Sequence, residues 1–287
     1  MRLMIARLNS MHARHLHDAV HAAGLGALMS VTLLAFDTST EVLAMALGTP
    51  AGRWVHHGPG GAQASASLLP QVKLLCERAG VALDGLDAIA FGRGPGAFTG
   101  LRTSCAVAQG LALGLGCPVL PIDSLLIVAE DARAQVGPGD DADPAGHIDS
   151  GNRNGNGTDI GVAMDARMGE VYAARWRWQQ GRWQLRDAPM LCTPEALVAA
   201  WQGQPPAWLA GSAWTVLAPR LALPPGPRLL AREHDRAAAL LRLAFAAHAR
   251  GEGLDAALAL PLYLRDKVAL TMQERDAVRA AAAAAAA

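Results

Sequence analysis

Lysine is almost missing from this chain: of its 287 residues only Lys73 and Lys267 are lysines, so arginine carries nearly all the positive charge. That scarcity excludes a Walker-type phosphate loop, which ends in Lys followed by Ser or Thr. Neither lysine adjoins the glycine-rich stretch at 91–100. Cysteine is sparse as well. Cys76, Cys105, Cys117 and Cys192 lie far apart with no paired spacing, which points away from a zinc ribbon or disulfide framework and toward thiols in a reducing cytosol. There is no excess of either charge: 25 basic and 25 acidic side chains cancel, so nothing favours nucleic acid or an anionic membrane as a direct partner. Long apolar runs are lacking too. The longest uncharged stretch, 103–122, contains Gln109, three glycines and two prolines, and is too broken to span a membrane.

What is present organises into two halves and some peripheral segments. Residues 1–30 hold His12, His15, His17 and His21 but no sustained apolar segment, so they are expected to form a disordered leader rather than a signal peptide, with the domain opening near Met29. His17 and His21, one helical turn apart, form a metal-binding pair only on the alternative reading. The polar stretch 137–159, rich in Gly, Asp and Asn, is expected to be a mobile insertion, and the alanines of 280–287 a disordered tail. Between them, apolar runs at 31–36, 42–47 and 53–57 predict strands. A helix over 65–79 follows, with Leu68, Val72, Leu75 and Cys76 in its stripe, Ser67 as N-cap, Pro70 in its first turn and Gly80 ending it. Further strands are expected at 86–91 and 118–122, with helices at 99–115 and 124–135. Beyond the insertion come a meander at 160–165, 170–178 and 182–191, helices at 194–202 and 234–250, and a strand near 207–212. The class is α/β. The expected division is an N-terminal lobe over 31–123, a C-terminal lobe over 124–250, and a segment at 251–279 returning to the first lobe.

The two halves repeat one plan. "LLAFDTSTEVLAMAL" and "GVAMDARMGEVYAARW" each carry an apolar strand ending in aspartate (Asp37, Asp165), a tight turn, then a glutamate (Glu41, Glu170) opening a second strand. Aspartate at a buried strand end is a natural place to hold a cation or a phosphate-bound water, although Asp at a hairpin is also ordinary turn chemistry. Two such hairpins suggest paired lobes closing on a nucleotide.

The stretch "FGRGPGAFTG" matches part of a dinucleotide fingerprint, yet no acid follows about 20 residues on and Pro95 has no amide to offer. What remains is a glycine loop feeding a helix whose free amides suit a phosphate or a carbonyl, with Thr99 able to cap it. On that helix Leu101, Cys105, Ala108, Ala112 and Leu115 form an apolar stripe, while Ala106, Gly110 and Gly114 form a flat strip. The strip rests either on this chain's own sheet or against a helix of a partner.

"FDTSTEVLAMAL", "FGRGPGAFTGLR" with "AQGLALGL", "AMDARMGEVYAARW" and "PLYLRDKVA" occur in order over roughly 31–270 and resemble the TsaB family of bacterial threonylcarbamoyladenosine biosynthesis proteins. The resemblance implies an actin-like ATPase (ribonuclease-H-like) fold and a cytoplasmic, non-catalytic subunit that scaffolds TsaD-like and TsaE-like proteins. It implies no cofactor or metal of its own, since ATP and a divalent metal are used by those partners, and tRNA is met through the complex. It allows a homodimer when the chain is alone. The implied interface lies on the helices at 65–79 and 99–115, with Leu68, Val72, Leu75, Cys76, Ala106, Gly110 and Gly114. Asp37, Thr38, Ser39, Gly94, Gly96, Thr99, Gly100 and Asp165 would be a vestigial nucleotide cleft. Two departures stand out: Ala64 replaces a histidine that many relatives carry, and no His-x-x-x-His pair lies in the core. Two other functions fit parts of the sequence. A small-molecule kinase of the same fold would use Asp165 as base, and a direct RNA binder would use Trp176, Arg177, Trp178, Arg182 and Trp183.

Overall fold

The computed structural model describes residues 31–136, 157–222 and 225–265. The expected leader, most of the 137–159 insertion and the alanine tail lie outside the described residues. Ten strands form two five-stranded sheets among those described. β1 (Leu33–Asp37), β2 (Val42–Thr49), β3 (Gly52–Pro59), β4 (Ala88–Gly94) and β5 (Val119–Asp123) make the first, in the order β3-β2-β1-β4-β5. β6 (Thr158–Asp165), β7 (Val171–Gln179), β8 (Arg182–Cys192), β9 (Trp208–Ala210) and β10 (Arg228–Leu230) make the second, in the order β8-β7-β6-β9-β10. In both, the first three strands are an antiparallel meander and the last two add in parallel to the first strand's other edge. The duplication read from two hairpins thus extends to whole sheets.

Five layers follow from the two-residue period of the strands. On β1, Leu34 and Phe36 face α1 (Ala64–Ala79) and α2 (Phe98–Leu115), joining Met45, Leu68, Leu75 and Phe91 in one core. Burying an aromatic such as Phe36 or Phe91 contributes about 1.5–3 kcal/mol each. The opposite face of the same sheet is built of small residues, Ala35, Ala44, Ala46, Ala88 and Ala90, which lets α6 (Arg236–Ala249) lie close against it. α3 (Ser124–Val136) packs beside α6 and covers the second sheet through Leu125, Val128 and Ala132. α4 (Pro194–Trp201) and α5 (Ala213–Val216) cover its far face, with Trp201 and Trp214 stacked.

Several expected boundaries move. α1 begins at Ala64, not at Ser67, whose hydroxyl instead donates to the Gln63 carbonyl. Pro70 is therefore inside the helix, and the carbonyl it cannot serve belongs to exposed Ala66, where water is at hand. Thr99 does not cap α2; Ala97 holds that position, and Thr99 is exposed. Thr158 and Asp159, read as loop, belong to β6, because the Asp159 carboxylate is paired with buried Arg175. The helix placed in the second lobe, α6, packs on the first sheet instead. After α6, Leu254 bridges Val119 and the Leu262 amide donates to the Arg93 carbonyl at 2.7 Å, while 266–279 of the segment expected at 251–279 lie outside the described residues.

Candidate functional site

The β1–β2 turn and the glycine loop meet at the mouth of the first lobe. Asp37 is fully buried. Its carboxylate accepts from the Ser39 amide (2.7 Å), the Ser39 hydroxyl (3.0 Å), and the Nε (3.0 Å) and Nη2 (2.8 Å) of Arg236. Arg236 opens α6, and its Nη1 also donates to Glu233 at 2.7 Å. Burial works against its charge, but Glu233 and Asp37 outweigh that and hold the guanidinium above its ordinary value.

The glycines explain how tightly this is packed. A Cβ on Gly100 would overlap the Thr38 carbonyl oxygen, and one on Gly96 would stand 2.6 Å from the Ser39 carbonyl oxygen. Thr38 Oγ1 donates to the Gly100 carbonyl at 2.6 Å, and the Ala97 amide donates to the Ser39 carbonyl at 2.8 Å. Gly94, with φ 111°, lies against the Leu262 carbonyl. So the loop, with Gly94, Gly96 and Gly100, approaches this chain's own turn and C-terminal segment, and of the two partners open to its amides, phosphate or carbonyl, the Ala97 amide meets a carbonyl.

A cleft of about 660 Å³ separates the two lobes, lined from both sides, with Ser39, Phe98, Leu125, Met164, Tyr172 and Tyr263 among its walls. The three acids that line it, Glu41, Asp165 and Glu233, each carry an arginine, and so do Asp37 and Glu170 behind them. Arg167 pairs with Glu41 (3.1 Å) and Asp165 (3.6 Å), Arg236 with Asp37 and Glu233, and Arg265 with Glu170 (2.7 Å). Asp165 also accepts from the Arg167 amide at 2.9 Å, so it is engaged rather than poised as a base. A divalent cation bridging nucleotide phosphates needs carboxylate oxygens open to it. The residues here do not fit that group, because both oxygens of Asp37 are already occupied from within the chain.

The aromatics that a direct RNA binder would use are engaged within the chain, Trp178 against Trp183 and under the Arg133 guanidinium. Trp176 is buried, and Trp183 packs on the core while its indole donates to Glu130 at 3.1 Å.

One acid near the junction of the lobes titrates unusually. Asp123 ends β5 and accepts from the Leu125 amide at 3.1 Å, and burial pushes its carboxyl from 3.8 up to about 6. Between those values the folded chain binds the proton more strongly than the unfolded one, so stability falls as pH rises through that window. Asp123→Asn, which keeps the capping oxygen, should raise stability at about pH 7 by roughly 2–3 kcal/mol and have no effect near pH 4. Urea denaturation of both proteins at the two pH values measures this, and an equal difference at both would contradict it.

The outer face of α2 has a different character. Ala106, Gly110 and Gly114 are exposed, and a Cβ on either glycine would meet no atom within 4 Å. The alternative that this strip rests on the chain's own sheet is thereby removed. By contrast Leu68, Val72, Leu75 and Cys76 are at most 3% exposed, so they hold α1 to its own sheet and are not available to a partner. The 3-10 turn Ala256–Leu258 and Ala259 run along one flank of α2, where Gln109 Nε2 donates to the Ala259 carbonyl at 3.0 Å. This leaves Leu113 (80%), Leu258 (64%) and Leu260 (70%) largely exposed.

Sequence reasoning pairs Arg167 with Glu170, where the structure pairs it with Glu41 and Asp165, and it missed Arg236 and Arg265 as partners of the cleft acids and Leu113, Leu258 and Leu260 on the outer face. One signal was available for Arg236. A cation in the first turn of a helix opposes the helix dipole, which implies a specific anionic partner.

The sequence model of the family described as TsaD, tRNA N6-adenosine threonylcarbamoyltransferase, matches residues 59–210. The chain is 31% identical over 244 residues to the tRNA threonylcarbamoyladenosine biosynthesis protein TsaB of Escherichia coli (strain K12), covering 83% of this chain and 96% of that protein. It is 31% identical over 196 residues to the protein of the same name from Haemophilus influenzae, covering 65% of this chain and 74% of that one. Among solved structures, YeaZ from Pseudomonas aeruginosa superposes with a TM-score of 0.66 at 38% identity, over 82% of this chain and 100% of that one.

Proposed function

Because the chain belongs to the TsaB family of tRNA threonylcarbamoyladenosine biosynthesis proteins, we propose that it works as a non-catalytic scaffold within that synthesis. It docks a TsaD-like subunit, and with it a TsaE-like subunit, through the outer face of α2 and the adjoining C-terminal segment. The partners supply ATP, metal and the transfer of the threonylcarbamoyl group to the adenosine beside the anticodon, and the chain meets tRNA through the complex in the cytoplasm. Alone, the same face pairs two copies of the chain.

The observation that carries this reading is the combination of the bare small-residue strip and largely exposed Leu113 on α2 with largely exposed Leu258 and Leu260 on the adjoining C-terminal segment. Exposed leucine that serves no packing purpose on its own chain marks an interaction surface, and a Gly/Ala strip lets a facing helix approach closely. The cleft supports the non-catalytic half of the reading, since its acids are tied to arginines and Asp165 is not free to act as base. No described helix is long and apolar enough to cross a membrane.

Size-exclusion chromatography of the chain mixed with a TsaD-like subunit tests the docking. A co-eluting complex that forms at the expense of any homodimer is expected, because both use one face. A ternary species in which the chain keeps its own dimer would contradict the shared face.

A further inference from the structure

Asp37 ends the central strand of the first sheet directly behind Ser39 and Arg236 of the cleft wall, and a carboxylate at such a strand end can hold a cation. Its equivalent in the second lobe, Asp165, is 14% exposed and reached by the exposed Arg167. Asp37 differs in kind: it is wholly buried, and its cation comes from a residue 199 positions away in sequence. Arg236 is itself only 5% exposed. Its guanidinium reaches Asp37, Glu233, the Ser39 hydroxyl (3.1 Å) and the Ser124 carbonyl (3.3 Å). That set, two carboxylates with a hydroxyl and a carbonyl oxygen around one positive centre, has the donor types of a hard-cation site.

From this we infer that Arg236 is a tethered cation: it permanently occupies the position at which a divalent ion would neutralise Asp37, and it makes the arrangement of the cleft independent of metal. Because α6 lies on the first sheet while Ser124 opens α3 on the second, the same guanidinium fastens the β1–β2 turn to the junction between the lobes. The guanidinium suits this place better than an ammonium would, since its planar fork satisfies several oxygens at once and it stays charged when buried. The inference concerns the inner cleft and holds whether or not the outer face docks as proposed.

The test is a pair of variants of the full chain, Arg236→Met and Arg236→Met/Asp37→Asn, followed by thermal unfolding. Removing the cation alone leaves Asp37 buried and uncompensated, so the single variant should melt on the order of 10 °C below the parent. Neutralising Asp37 as well should recover at least half of that loss. A single variant too unstable to purify counts as the same result when the double variant is recovered folded. The parent and its Asp37→Asn form are titrated with Mn2+ by electron paramagnetic resonance, and neither should show a saturable site. A single variant that melts like the parent overturns the inference, as does a double variant no better than the single. So does a saturable Mn2+ site in the parent that Asp37→Asn removes.

Discussion

Gly110→Leu is expected to abolish co-elution with a TsaD-like subunit while the variant melts within a few degrees of the parent. Gly110 sits inside α2, exposed, with nothing within 4 Å of where a Cβ would stand. Within this chain the leucine therefore meets no obstacle, and replacing an interior helix glycine should stabilise by roughly 0.5–1 kcal/mol. At a close helix–helix contact the same side chain forces the partners apart, at about 1–3 kcal/mol for overpacking, a tenfold to hundredfold loss of affinity. The neighbouring strip positions Ala106 and Gly114 should behave alike, and Leu113 (80% exposed) should weaken binding when shortened to Ala without affecting stability. Normal co-elution of Gly110→Leu would remove α2 from the interface. Loss of stability would show that the helix packs on something within the chain.

The largest effect on stability is expected in the first turn of the same helix. Gly100→Ala is, on helix propensity alone, a favourable change. Here the added methyl would overlap the Thr38 carbonyl oxygen, and since a Cβ is fixed to its helix and the oxygen is backbone, neither side can rotate away. Thr38 cannot retreat either, because its hydroxyl holds the Gly100 carbonyl and its neighbour Asp37 is bound to Arg236. We expect a loss of at least about 3 kcal/mol or failure to accumulate folded protein, in the range reserved for changes that break buried networks. Urea denaturation against Gly110→Ala as the matched control separates the two environments of one residue type in one helix. Equal effects at both positions would mean that α2 does not lie against the β1–β2 turn.

Much of this architecture was legible because it is local. The two hairpins were readable from Asp37 and Asp165 at strand ends with Glu41 and Glu170 opening the next strands, and the sheets repeat that plan in full. Gly80 ending α1 was equally visible, because a left-handed residue there favours glycine. What escaped is long-range. Nothing near Asp37 announces Arg236, and nothing in the pattern of 234–250 says which of two sheets receives α6. The strip Ala106, Gly110, Gly114 was visible but its direction was not, since small residues give no hydropathic contrast between a sheet and a partner. The opposite error fell on Leu68, Val72, Leu75 and Cys76, where a strong stripe was assigned to an interface although such a stripe is what a helix needs to reach its own core. Asp159 reads as loop because it closes a polar stretch rich in Gly, Asp and Asn, and its place in a strand rests on the pairing with Arg175.

As a scaffold, this chain is expected to enable threonylcarbamoyl transfer without performing chemistry. The direct measurement is reconstitution with purified TsaD-like and TsaE-like subunits, threonylcarbamoyl-AMP, ATP and an unmodified tRNA, counting modified adenosine with and without the chain. Modification should appear only when the chain is present, should survive Asp165→Asn, and should vanish with Gly110→Leu, while the chain alone turns over neither ATP nor tRNA. Turnover by the isolated chain that Asp165→Asn abolishes, or full modification without the chain, would contradict it.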